Sequence, residues 1–133
     1  MSATLTPTLP DDVRTLLAGP NLAHVATLLP DGSPHSVPVW VDVEGDEILI
    51  MTGPGSQKAR NLERDGRVAL SITDRDQPFA MASVRGRVTR RVEGDAGWAI
   101  VDRIAQKYIG SPYGRDVERI VYVIEQGSHR PRS

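Results

Sequence analysis

The spacing of apolar positions changes along the chain, and each change marks an element. Leu9, Val13, Leu16 and Leu17 recur at helical spacing, with Pro10 in the first turn and Gly19 at the end. This predicts a short helix over 9–18, packed as a lid on a barrel. Leu22 to Leu29 is apolar apart from His24 and Thr27 and reads as a strand. Pro30-Asp31-Gly32-Ser33 supplies a turn, and His35 to Val43 the returning strand. Glu44-Gly45-Asp46 makes a second tight turn into Glu47 to Thr52, so residues 22–52 are expected to form a three-stranded antiparallel meander.

Gly53-Pro54-Gly55 interrupts the strand pattern, and Ser56 to Arg64 is expected to be helical. Asp65-Gly66 restarts a strand over Arg67 to Thr73, and the loop 74–78 leads into a long strand, Phe79 to Val92. Asp95 to Ile109 reads as a helix with Trp98, Val101, Ile104, Ala105 and Tyr108 on one face, stopped by Gly110 and Pro112. The final strand is Arg119 to Glu125. Six strands arriving as hairpins, rather than as strand–helix–strand units, argue against an open parallel sheet. They predict a mainly β fold with flanking helices, a closed or half-closed antiparallel barrel, since closure removes exposed edges. No repeat or linker divides the chain, so 1–133 reads as a single domain, with 1–8 and 127–133 as flexible termini.

Charge limits the partners. Sixteen basic residues against seventeen acidic give a net charge of -1, which provides no global field for nucleic acid or an acidic membrane. Any anion site must be local, and Ser56 to Arg67 holds four cations (Lys58, Arg60, Arg64, Arg67) against Glu63 and Asp65. The absence of cysteine excludes disulfides, thiolate chemistry and cysteine-ligated metals. His24, His35 and His129 do not fall together as metal ligands, and no metal is expected. Asp11-Asp12 opens a helix, where the dipole accounts for paired carboxylates without catalysis. No apolar run approaches a membrane span, and the first residues lack the pattern of a signal peptide, so a cytoplasmic protein is expected.

The segment Ser56-Gln57-Lys58-Ala59-Arg60-Asn61-Leu62 carries the clearest candidate chemistry. A helix mouth offers unpartnered N–H groups and the positive end of the dipole, Lys58 adds a full charge, and Asn61 a neutral donor one turn on. An ordinary surface helix capped by Ser56 is the alternative reading. The spacing is not that of a Walker loop. In Val37-Pro38-Val39-Trp40, Pro38 marks an edge, a bulge or an approach of ligand to backbone. Trp40 either stacks on a flat ring or belongs to a core or dimer interface. Phe79 and Met81 are likewise core residues or the apolar wall of a pocket. A cofactor carrying its own reactivity reconciles a phosphate site and an apolar slot with the absence of an obvious acid, base or nucleophile; flavins and deazaflavins fit that description.

The order Ala26-Thr27-Leu28, Asp31-Gly32-Ser33-Pro34, Pro38-Val39-Trp40, Gly45-Asp46, Thr52, Lys58-Ala59-Arg60-Asn61-Leu62 and Arg67-Val68-Ala69-Leu70 resembles the split β-barrel flavin and deazaflavin oxidoreductases, the superfamily of pyridoxamine phosphate oxidase. Lys107-Tyr108 and Arg119-Ile120-Val121 resemble its branch dependent on the deazaflavin coenzyme F420. The resemblance implies a homodimer with a cofactor groove at the interface. Lys58 and Asn61, with the Ser56-Gln57 backbone, would hold the phosphate; Thr52, beside Met51, would support the ribityl chain; Pro38, Val39 and Trp40 would lie along the rings. Phe79 and Met81 would approach from the other subunit. Coenzyme F420 is the expected cofactor and FMN the alternative. Small or apolar residues at Ala80, Met81 and Ser83 argue against pyridoxal phosphate synthesis. Arg60, Arg64 and Arg75 would offer a cationic path to a polyglutamyl tail. The expected activity is hydride transfer to an electron-poor conjugated small molecule such as a quinone, lactone or tetrapyrrole, with no residue assigned as catalytic. An FMN-dependent oxidase or reductase, and a cofactor carrier or sensor without turnover, are the rival readings.

Overall fold

The computed structural model describes residues 8–127. In chain order the elements are α1 (Asp11–Ala18), β1 (Ala23–Leu28), β2 (Pro34–Val39), β3 (Val41–Glu44), β4 (Glu47–Thr52), α2 (Gln57–Arg64), β5 (Arg67–Thr73), β6 (Met81–Val92), α3 (Gly94–Ile109) and β7 (Ile120–Gln126). Seven strands form one antiparallel, curled sheet in the order β2-β1-β5-β6-β7-β4-β3. The family of expectations for flexible termini at 1–8 and 127–133 lies outside the described residues, except at Thr8 and Gly127.

Residues 22–52 do not form a three-stranded meander. β2 pairs with β1 from Ala23↔Val39 to Leu28↔Pro34, and β3 pairs with β4 from Val41↔Ile50 to Glu44↔Glu47. The expected strand 35–43 is interrupted at Trp40, and its two halves form opposite margins of the sheet. The turn is held from outside the strand: Tyr108 stacks on the Trp40 ring and its hydroxyl accepts the Val41 N–H at 3.2 Å. β1 and β4 find their second partners far along the chain, in β5 and β7.

Side-chain alternation decides what each strand buries. In β5, Val68, Leu70 and Ile72 are buried, while Arg67, Ser71 and Thr73 are exposed. β4 and β7 are nearly continuous apolar runs because both of their faces are covered. Ile48, Ile50, Tyr122 and Ile124 face the interior of the curl, where Leu9, Leu16 and Leu17 from α1 and its lead-in plug one end. Leu49, Met51, Val121 and Val123 face the other way and pack beneath Val101 and Ile104 of α3. Asp46 ties down the plug, accepting the Leu9 N–H at 3.1 Å and the Arg14 guanidinium at 2.8 Å.

β6 is long enough to pair with β5 over its first half and β7 over its second. Gly86 sits where the two pairings overlap, and a Cβ there would lie 2.3 Å from the Glu125 carbonyl oxygen. Only glycine permits that approach. A register shift between Val88 and Arg90 then bends the strand. Among the described residues, no helix is long and apolar enough to cross a membrane.

Candidate functional site

β4 ends at Thr52, and the break 53–55 delivers Ser56 as the N-cap of α2 in extended backbone, φ -70° and ψ 160°. The Ser56 hydroxyl accepts the Ala59 N–H at 3.0 Å, and its oxygen lies 2.9 Å from the Thr52 hydroxyl. The cap satisfies one first-turn donor and leaves those of Gln57 and Lys58 with no partner inside the helix. The dipole of α2 therefore ends beside the last residue of β4.

A groove of about 390 Å³ opens there, lined by Pro38, Val39 and Trp40 from the β2–β3 corner, by Met51, Thr52, Gly53, Ser56 and Lys58, and by Tyr113 and Arg119 from the segment before β7. No carboxylate is among these residues. Partial burial pushes the Lys58 ammonium below its ordinary pKa, and the nearby positive charge of Arg119 pushes it the same way. Arg119 donates to the Tyr113 hydroxyl from Nε at 3.2 Å and Nη2 at 2.9 Å, and to the Glu118 carbonyl from Nη1 at 2.8 Å. The groove thus presents two cations and a helix mouth with no anion to balance them.

Its second wall is aromatic. The Trp40 ring stacks on Tyr108 with centroids 5.0 Å apart and planes 5° from parallel, and meets Tyr113 edge-on at 6.1 Å. Burial raises the Tyr108 pKa, and its hydroxyl donates to the Asn21 carbonyl. Trp40 is therefore packed against α3 on one face while it lines the groove.

The structure brings Pro38, Val39, Trp40, Met51, Thr52, Ser56 and Lys58 together, with the Gln57 N–H at the helix mouth beside them, and leaves the side chains of Gln57, Asn61, Phe79 and Met81 out of the groove lining. Asn61 is 0% exposed; its Nδ2 donates to the Thr27 hydroxyl at 2.9 Å, and its Oδ1 accepts from Gln57 at 2.8 Å. Its side chain joins α2 to β1 instead of entering the groove. Gln57 is engaged with Asn61 and with Arg60. Phe79 and Met81 lie outside the groove, 89% and 62% exposed. Arg60 donates to the Gly55 carbonyl and Arg64 to that of Leu28, while Arg75 is exposed. Gly53, Tyr113 and Arg119 were not expected as groove residues; Tyr113 comes from an irregular segment with no period to mark a face, and Arg119, expected as the first residue of the final strand, lies just before β7. Among the described residues no cluster of three or more histidines and carboxylates is placed to hold a metal.

The family model described as pyridoxamine 5'-phosphate oxidase matches residues 9–131. The chain belongs to that family. A relative, the F420H(2)-dependent biliverdin reductase of Mycobacterium tuberculosis (strain CDC 1551 / Oshkosh), is 35% identical over 102 residues, covering 75% of this chain and 72% of its own. A solved structure named F420 reductase superposes with a TM-score of 0.78 at 28% identity, over 90% of this chain and 97% of that one. A conserved hypothetical protein from Mycobacterium tuberculosis gives 0.71 at 26% identity, over 94% and 84%.

Proposed function

We propose that this member of the family is an F420-dependent reductase that reduces an electron-poor conjugated small molecule. The observation that carries the reading is the groove, where Lys58 and the α2 mouth offer an uncompensated positive site beside an aromatic corner. The names of the two most informative relatives support it: one is F420H(2)-dependent and the other is called an F420 reductase.

An anionic, ring-bearing cofactor fits these residues. Lys58 and the free first-turn N–H groups hold the phosphate. Thr52 and Met51 flank the adjoining chain, and the Pro38–Trp40 corner lies along the rings. Reduced, the deazaflavin supplies a hydride. No carboxylate or histidine lines the groove, so the chain's contribution is orientation and exclusion of water, not acid–base chemistry by those groups. A second copy of the chain covers the open side of the groove with Phe79 and Met81, whose exposure is otherwise costly in an aqueous protein.

The same phosphate-holding residues suit FMN, which makes that cofactor the second reading. Fluorescence titration of cofactor-free protein with F420 and with FMN separates the two. Saturable F420 binding at micromolar concentration or tighter, followed by biliverdin-dependent oxidation of F420H2, is expected. Preference for FMN would overturn the deazaflavin assignment, and tight binding without oxidation by biliverdin, a quinone or a conjugated lactone would favour a carrier.

A further inference from the structure

We infer that Arg119 is the second half of an anion clamp, gripping the cofactor phosphate together with Lys58 across the mouth of α2. The inference rests on the reading that a phosphate-bearing cofactor occupies the groove, and it adds a residue from a distant, irregular part of the chain.

Three observations place the guanidinium there. Gly53 has no side chain where the strand runs into α2, and a Cβ at that position would lie 3.1 Å from Arg119 Nη1, so the guanidinium rests against the backbone leading to the helix mouth. Arg119 and Lys58 line one groove and repel each other, with no carboxylate among the lining residues. Three of the five guanidinium N–H donors are taken by the Tyr113 hydroxyl and the Glu118 carbonyl, which leaves two for a ligand.

The segment that carries Arg119 is itself held in place. Asp102 of α3 accepts the Tyr113 N–H at 3.1 Å and binds Arg115 at 2.9 and 2.7 Å, and the Arg115 guanidinium lies over the Trp98 ring at 3.9 Å. An arginine free to choose would move away from a half-buried lysine toward water. Here Tyr113 and the pinned segment hold it facing the lysine, an arrangement unfavourable when empty and relieved when an anion enters. A purely structural Arg119 would cap Glu118 and lie on Tyr113, and its loss would leave ligand affinity unchanged.

The test is fluorescence titration with F420 and, in parallel, FMN, using wild type, Arg119→Met, Lys58→Met and the double variant, with thermal unfolding of each as a control for folding. Arg119→Met is expected to weaken the preferred cofactor by about 10- to 100-fold, as for loss of a charge-assisted hydrogen bond. Arg119→Lys should recover part of that loss. Because both cations hold one anion, the double variant should lose less than the product of the single losses. Arg119→Met within twofold of wild type, with an unchanged unfolding midpoint, would overturn the clamp, as would strictly multiplicative losses. A wild type that prefers FMN removes the deazaflavin reading while the FMN series still judges the clamp. Failure of the wild type to bind either cofactor would overturn both.

Discussion

At the residue scale, α2 divides its polar side chains between two tasks. Lys58 faces the groove, whereas Asn61, one turn on, is sealed between α2 and β1. Lys58→Ala is expected to weaken cofactor binding by about 1.5–3 kcal/mol without loss of fold, measured by titration. The pH dependence follows from the lowered Lys58 pKa, because the ammonium and not the neutral amine binds an anion. Affinity falls as pH rises through a range below the ordinary lysine value of 10.5. Asn61→Ala should instead lower stability by about 1–3 kcal/mol in urea unfolding, because Thr27 loses its buried partner, with only a secondary effect on affinity. The sequence made Lys58 legible because a strand end, a Gly-Pro-Gly break and a capping serine define a helix mouth locally. It made Asn61 look equivalent because spacing within one helix does not reveal which neighbour covers that side.

At the scale of elements, the strand Glu47–Thr52 and the helix after Ser56 were legible because local pattern and turn chemistry agree there. The break at Trp40 was not, since its cause is Tyr108, far along the chain in α3. The pairing of β4 with β7 was hidden for the same reason. A second long-range tie fixes α2 itself: the Tyr122 hydroxyl donates to Glu63 at 2.6 Å, and Arg91 donates to the same carboxylate oxygen at 2.8 Å. The Tyr122 hydrogen bond, ahead of Arg91, holds Glu63 below its ordinary pKa, while burial and then Glu63 push Tyr122 above its own. The folded carboxylate contributes stability that is lost as pH falls below about 4.5. The folded phenol contributes stability that is lost as pH rises above 10, where the unfolded tyrosine ionises first. Tyr122→Phe is expected to cost about 1 kcal/mol near neutrality and to flatten the decline in unfolding free energy above pH 10, read by urea titration at several pH values.

At the scale of the whole molecule, the mainly antiparallel β architecture follows from hairpin-rich patterning, but the sheet order and the curl depend on contacts between distant segments. Phe79 and Met81 remain exposed at the loop and strand start on one side of the chain. Their proposed partner is a second copy, and Phe79→Asp is expected to weaken self-association at least tenfold in sedimentation velocity while leaving the circular dichroism unchanged. An unaltered sedimentation profile would assign the exposed phenylalanine another role. The single residue Trp40 joins the two margins of the sheet, with β1 and β2 on one side and β3 and β4 on the other. The groove lies on that joint. A molecule seated at the corner therefore restrains both margins together, so its arrival should slow backbone amide exchange in β1 and in β4 alike, including at positions it never touches.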